Sequence, residues 1–229
     1  MKIARTRTRL DTDERRGQLI ARGRELFSKR PYDEISIDDI AEAVGVSKGL
    51  LYHYFDSKRR FYVETVRATL EEMRDVTEPD PTLSPLEQLE ASLDRYLDYI
   101  ERHGSAYETL IRRGIGSDPE VEALVEEERL VVIHRVLRGL GLAEAPPLVR
   151  ISLRAWLGLV DAACIDWMEH RDVDRNAVRS LLTTSLEAVL VVAAQSTPAM
   201  TLPESVIART STSPAAHAAQ ALARRTAPR

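Results

Sequence analysis

Two short helix signals with almost nothing between them constrain this chain more than any other feature. Ile37, Ile40, Ala41 and Val44 follow the i, i+3, i+4, i+7 spacing of one helix face. Ser36 stands where an N-cap is needed, and Asp39 completes a capping-box pattern. Gly45 supplies the residue type that tolerates left-handed backbone at a helix end. Ser47 can cap a second helix at once, so the gap is too short for an ordinary loop. That second helix, about 47 to 55, would turn Val46, Leu51 and Phe55 inward and leave Lys48, Gly49, Tyr52 and His53 outward. The pattern is a helix-turn-helix, which can lay one helix in the major groove of a duplex. An ordinary helical hairpin with solvated polar residues shares the spacing.

Each outward residue has a use on a duplex. Gly49 lets the backbone approach closely. Lys48 can reach a guanine edge or a phosphate. Tyr52 and His53 can donate to phosphate oxygens. Asp56 or Ser57 caps the next helix and places Lys58 in its first turn. A cation there opposes the helix dipole, and an external phosphate would explain it.

Residues 12 to 61 resemble the DNA-binding domain of the TetR family of bacterial transcription repressors. The resemblance is carried by Ala21, Leu26, Phe27, Ile40-Ala41, Gly45-Val46-Ser47-Lys48-Gly49, Tyr52-His53-Tyr54-Phe55 and Ser57-Lys58. It implies that Lys48 and Gly49 approach bases, while Ser36, Tyr52, Tyr54 and Lys58 approach phosphates. It also implies three head helices followed by six in the body, and a homodimer. Leu50 departs from the small polar residue the family often has there, which bears on base preference and not on fold.

Charge distribution agrees. The 229 residues carry a formal net charge of -4, which by itself argues against a polyanionic partner. Residues 1–60, however, hold 14 Lys and Arg against 10 Asp and Glu, and the remainder holds 18 against 26. That is the asymmetry of a small DNA-reading head on an acidic body. Lys2, Arg5, Arg7 and Arg9 form a basic arm over residues 1–10, suited to a phosphate track or the minor groove, or simply solvated. The single cysteine, Cys164, fits a reducing cytoplasm. The start Met1-Lys2-Ile3-Ala4-Arg5 lacks the apolar core of a signal peptide. No apolar run of about 18 residues predicts a membrane span.

The rest of the chain reads as helices. The first opens at Asp11 or Thr12 and ends at Pro31. A connecting helix covers 57–76, and Glu78-Pro79-Asp80-Pro81 breaks the chain. Ser84-Pro85-Leu86-Glu87 opens a helix that ends near His103-Gly104, and a short one follows from Ser105 to Arg113. Asp118-Pro119-Glu120 and Pro146-Pro147 start two more, and Asp174 caps the last, which ends near Ala194. The fold class is all-α, with about nine helices. A three-helix helix-turn-helix domain over 11–56 precedes a ligand-binding and dimerisation bundle over 57–196. The tail, 197–229, is rich in Ala, Ser, Thr and Pro and is expected to stay disordered, with Leu202, Val206 and Ile207 able to dock locally.

The last two helices are apolar on most sides, so they should be buried on most sides. Leu153, Leu157, Val160 and Cys164, with Leu182, Leu186, Val189 and Leu190, are the expected interface of a homodimer, which would form a four-helix bundle. A monomer covered by its own tail is the other reading. Tyr96, Tyr99, Tyr107, Leu110, Ile111, Trp156, Leu159, Trp167 and Met168 mix apolar bulk with polar tips and are candidates for an effector pocket. Core packing is the simpler account of each of them, because aromatics at helical spacing are first a core signal. Asp161, Asp166 and Arg112-Arg113 need partners within the chain, such as Arg154 for Asp161, or on a charged ligand.

No phosphate loop, nucleophile elbow or metal-ligand spacing occurs, so no cofactor or metal is implied. The chain reads as a cytoplasmic transcription regulator with three partners: an operator in double-stranded DNA, a second copy of itself and a small-molecule effector. A repressor released by its ligand is the leading expectation. An effector-independent DNA-binding regulator, or a helical enzyme with a vestigial head, are the alternatives.

Overall fold

The computed structural model describes residues 3–30, 32–109 and 118–195, with side chains for 12–30, 32–104 and 118–195. Among these the chain is all-α. The helices are α1 (Ile3–Lys29), α2 (Ile37–Val44), α3 (Lys48–Phe55), α4 (Lys58–Val76), α5 (Pro85–Thr109), α6 (Pro119–Gly139), α7 (Pro147–His170) and α8 (Arg175–Gln195), with a 3-10 turn at Tyr32–Glu34.

Three features depart from the sequence reading. Helix α1 starts at Ile3, not at Asp11 or Thr12, so the backbone of the expected arm is helical from residue 3. No glycine or proline interrupts that segment, and Arg, Ala and Leu favour continuation. The break expected at His103-Gly104 is a kink inside α5, where His103 leaves helical geometry at φ -122 and ψ 22. The short helix predicted from Ser105 therefore continues α5 as far as Thr109, and the remainder of it, like the tail, lies outside the described residues.

The third departure is the division of the chain. It forms two compact units, one of residues 1–76 and 98–128, the other of 77–97 and 129–229. The expected head, 11–56, lies inside the first of these units. The head core of Phe27, Ile35, Ile40, Leu51 and Phe55 continues through Phe61, Tyr62 and Val66 of α4 to Val121, Leu124 and Val125 of α6. Helices α1 and α4 approach closely at Gly23, where a Cβ would stand 2.5 Å from Phe61 Cζ and 2.9 Å from Thr65 Oγ1. Tyr99 fastens α5 to α4, its hydroxyl lying 3.2 Å from Glu72 Oε2 and 3.4 Å from the Thr69 carbonyl.

In the second unit α7 packs along α8. Val149, Leu153, Trp156, Val160, Cys164 and Trp167 meet Val178, Leu182, Leu186, Leu190 and Ala193 in a buried seam. Buried indoles need acceptors. Trp156 Nε1 donates to the Leu182 carbonyl at 2.9 Å, and Trp167 Nε1 to the Val173 carbonyl at 2.8 Å. Arg175 and Arg179 of α8 both engage Asp94 of α5. Contrary to the expectation of no such segment, α8 is long and apolar enough to cross a membrane by length and composition. Its buried face carries Thr183 and Glu187 and packs on α7.

Candidate nucleic-acid interface

The turn is built as its residues dictate. Ser36 caps α2, its Oγ accepting the Asp39 N–H at 3.1 Å. The Asp39 carboxylate accepts the Ser36 N–H at 2.7 Å and its hydroxyl at 2.6 Å, closing the capping box. These bonds hold the Asp39 carboxyl below its ordinary range. Gly45 is left-handed at φ 71 and ψ 39, and the Val46 N–H reaches back to Ala41 O at 2.9 Å, as in a Schellman ending. Ser47 follows as the α3 cap, accepting the Leu50 N–H at 3.2 Å.

Helix α3 hangs on two buried anchors, Leu51 and Phe55. Around them Lys48, Gly49, Leu50, Tyr52 and His53 are exposed and Tyr54 is half-buried. A Cβ on Gly49 would meet nothing within 4 Å, so no internal contact explains the glycine. Asp56 turns the chain at a positive φ of 51, with the Ser57 N–H donating to Phe55 O. Ser57, rather than Asp56, caps α4 by accepting the Arg60 N–H at 3.0 Å.

Several outward residues have internal partners invisible in the sequence. Lys48 Nζ lies 2.7 Å from Asp38 Oδ1, and this hydrogen bond raises the lysine pKa. Lys58 Nζ lies 4.0 Å above the centre of the Tyr32 ring. That ring packs on Tyr62 at 4.8 Å. A cation over an aromatic face is stabilised by the ring quadrupole, which offsets the unfavourable helix end. Tyr32, which the sequence reading did not single out, is therefore the residue that seats the Lys58 ammonium. Its only signal is its place just before the α2 cap. Ser36 gives both its donors to Asp39, so the structure assigns it to the cap.

The basic residues of the head do not all face outward. Arg59 binds Asp118 in a bidentate pair at 2.6 and 2.9 Å. Arg59 and Arg60 both reach Glu120 at 3.2 Å. Arg16 pairs with Glu64 at 3.1 Å, and Arg24 with Glu72. The Arg59 bonds hold the Asp118 carboxyl below its ordinary range.

The candidate pocket residues are divided between the two units and the segment outside the described residues. Trp156, Trp167 and Tyr99 are buried with their polar atoms engaged as described above. Tyr96 and Met168 are half-buried and Leu159 is exposed. Tyr107, Leu110, Ile111 and Arg112-Arg113 lie outside the described residues. Asp161 finds a partner that the sequence did not single out, Arg129 of α6 at 2.8 Å. Burial pushes the Cys164 thiol up to about 12, which makes it a core side chain. Among the described residues no group of three or more His, Cys, Asp or Glu is placed to hold a metal.

The candidate dimer residues also need re-assignment. Leu153, Val160, Cys164, Leu182, Leu186 and Leu190 are buried within one chain, in the α7–α8 seam, and Leu157 and Val189 are half-buried. The outer face of the same two helices is a different set. Ile151, Ala155, Gly158 and Ala162 form one exposed stripe, and Leu181, Thr184, Ala188 and Val192 another.

An all-helical chain whose capped α2–turn–α3 projects a short polar helix is a helix-turn-helix DNA-binding regulator. Residues 19–65 match the family of bacterial regulatory proteins of the tetR type, and residues 85–189 match the tetracyclin repressor-like C-terminal domain. The chain belongs to the TetR family of transcriptional regulators, which are not enzymes.

A TetR-family regulator from Streptomyces coelicolor has 27% sequence identity, with a TM-score of 0.76 over 94% of this chain and 99% of that one. The transcriptional activator FasR of Mycolicibacterium smegmatis is 31% identical over 120 residues, 52% of this chain and 55% of FasR. The transcriptional repressor KstR2 of Mycobacterium tuberculosis is 33% identical over 95 residues, 40% of this chain and 46% of KstR2. The chain thus spans about half the length of these two curated relatives.

Proposed function

We propose that this regulator is a cytoplasmic homodimer that represses transcription from a palindromic operator and is released by a small-molecule effector. DNA is contacted by Ser47, by Lys48 and Gly49 at bases, and by Tyr52, His53, Tyr54 and Lys58 at phosphates. Two heads enter successive major grooves on one face of the duplex. An effector in the helical body releases DNA only if it binds the two head arrangements with different affinity.

The dimer rests on one observation above all: the outer face of α7 and α8 is apolar yet exposed, with Ile151 at 53%, Leu181 at 54% and Val192 at 59%. A contiguous apolar face on a single chain is the mark of an interaction surface. Gly49, with no internal contact to explain it, fits a close approach of the α3 backbone to DNA. Repressor and activator can use the same head, and the relatives include the activator FasR beside the repressor KstR2.

The test is selection of random duplexes by the purified protein, with its mass in solution measured alone and on DNA. A dimer bound to an inverted repeat is the expected result. A monomer on a single half-site would overturn the reading. A small-molecule panel then scores loss of DNA binding. A regulator that binds DNA and responds to none of a broad panel would favour the effector-independent alternative.

A further inference from the structure

We propose that Asp38 is a specificity-determining residue of the DNA-reading surface: its carboxylate holds the Lys48 ammonium away from phosphates, and the two together read a G·C base pair. The inference rests on the base-reading role of Lys48 proposed above.

Asp38 and Asp39 are adjacent in the first turn of α2, and the structure gives them different work. Asp39 is committed to Ser36 in the capping box. Asp38 instead crosses the turn to the first residue of α3, with its Oδ1 2.7 Å from Lys48 Nζ. Both side chains are open to solvent, 72% for Asp38 and 48% for Lys48. An exposed pair of this kind adds little to fold stability. The α2 cap is complete without it.

A carboxylate beside the N-terminus of a DNA-reading helix repels phosphates, so it weakens binding to any sequence unless it gains something on the right one. Lysine has a long, rotatable stem and a compact charge, and by itself settles on the phosphate backbone as readily as on a base. A fixed acceptor beside it removes that freedom. The pair then presents an N–H donor next to an oxygen acceptor. The major-groove edge of a G·C pair presents the complement, the guanine O6 and N7 acceptors next to the cytosine N4 donor.

The experiment compares Asp38→Asn, Lys48→Ala and the double variant with the unaltered protein. Each is scored on pools of duplexes for base preference, and on random duplex for affinity and salt dependence. Asp38→Asn should lose roughly fivefold or more of the preference at one G·C position. Its binding to random duplex should tighten, with a salt slope steeper by about one unit as Lys48 moves to a phosphate. Adding Asp38→Asn to Lys48→Ala should change the base profile no further. Unchanged thermal midpoints confirm that the cap survives.

A wild-type base profile for Asp38→Asn, with a changed profile for Lys48→Ala, would overturn the role of Asp38 alone. An unchanged profile for Lys48→Ala would overturn the base-reading role of Lys48 and this inference with it. An Asp38→Asn effect of equal size in the Lys48→Ala background would show that Asp38 acts without Lys48, and would also overturn the inference.

Discussion

The α2–α3 turn and the α7–α8 pair are both two helices sharing a seam, yet they divide labour in opposite ways. In the first, Ile40, Ala41, Val44, Leu51 and Phe55 are buried and the outward positions are mostly polar or glycine. Packing and recognition use different residue types. In the second, both faces are apolar. Leu182 is fully buried while its neighbour Leu181 is 54% exposed. An amphipathic helix announces its faces, whereas a helix apolar on most sides hides which face is core and which awaits a partner.

The sharpest way to break this contrast is to cut the inner α7–α8 seam. Trp156→Ala removes a buried indole and its hydrogen bond to the Leu182 carbonyl, leaves a cavity in the seam, and is expected to cost about 3–5 kcal/mol in denaturant unfolding. A loss under about 1 kcal/mol would mean the seam is not the core of its unit. In the head, Gly23→Ala forces a methyl against Phe61 and Thr65 and is expected to cost about 1–3 kcal/mol. A neutral result would mean that α1 and α4 sit further apart.

The outer face should behave differently. Leu181→Ser with Val192→Ser is expected to change chain stability by only about 0.5 kcal/mol per site, while shifting solution mass from dimer toward monomer. A large stability loss with unchanged mass would place these residues in a core. Tyr32→Leu removes the ring beneath Lys58 and is expected to weaken binding to all duplexes alike, by about 0.5–1 kcal/mol, with Tyr32→Phe close to the parent. Equal losses in both variants would point to the hydroxyl instead.

The smallest effect concerns acid. The Arg59 pair keeps the Asp118 carboxyl below its unfolded value. Its stabilisation is therefore present above the unfolded pKa and fades as pH falls through the folded one. Asp118→Asn should flatten the decline of stability below about pH 4 and match the parent's slope at neutral pH. An unchanged acid limb would show that the pair is not formed in solution.

Much of the head is legible in the sequence. Ser36, Asp39, Gly45, Ser47 and the 3.6-residue spacing act over a few residues, so local chemistry is enough to specify caps, turn and helix faces. The cation at Lys58 stands out as a local conflict. What resolves it, Tyr32, is distant along the chain and becomes a neighbour only once α4 packs back. Cys164 belongs to an apolar stripe in the sequence, and only the α7–α8 seam makes it core. Leu153, Leu157, Leu181 and Leu182 are equally apolar, so the sequence does not tell the α7–α8 seam from the outer face. Only the docking of α7 on α8 decides which side is used up.

The sequence by itself determined the helices, the capped turn and the outward set Lys48, Gly49, Tyr52 and His53, because propensity, capping and periodicity are short-range. Only the tertiary structure decided that Asp38 meets Lys48, that Arg59 meets Asp118 far along the chain, and that residues 98–128 share a compact unit with the head. Ion pairs and helix docking depend on which faces meet in space, and charge or apolarity alone leaves many pairings open.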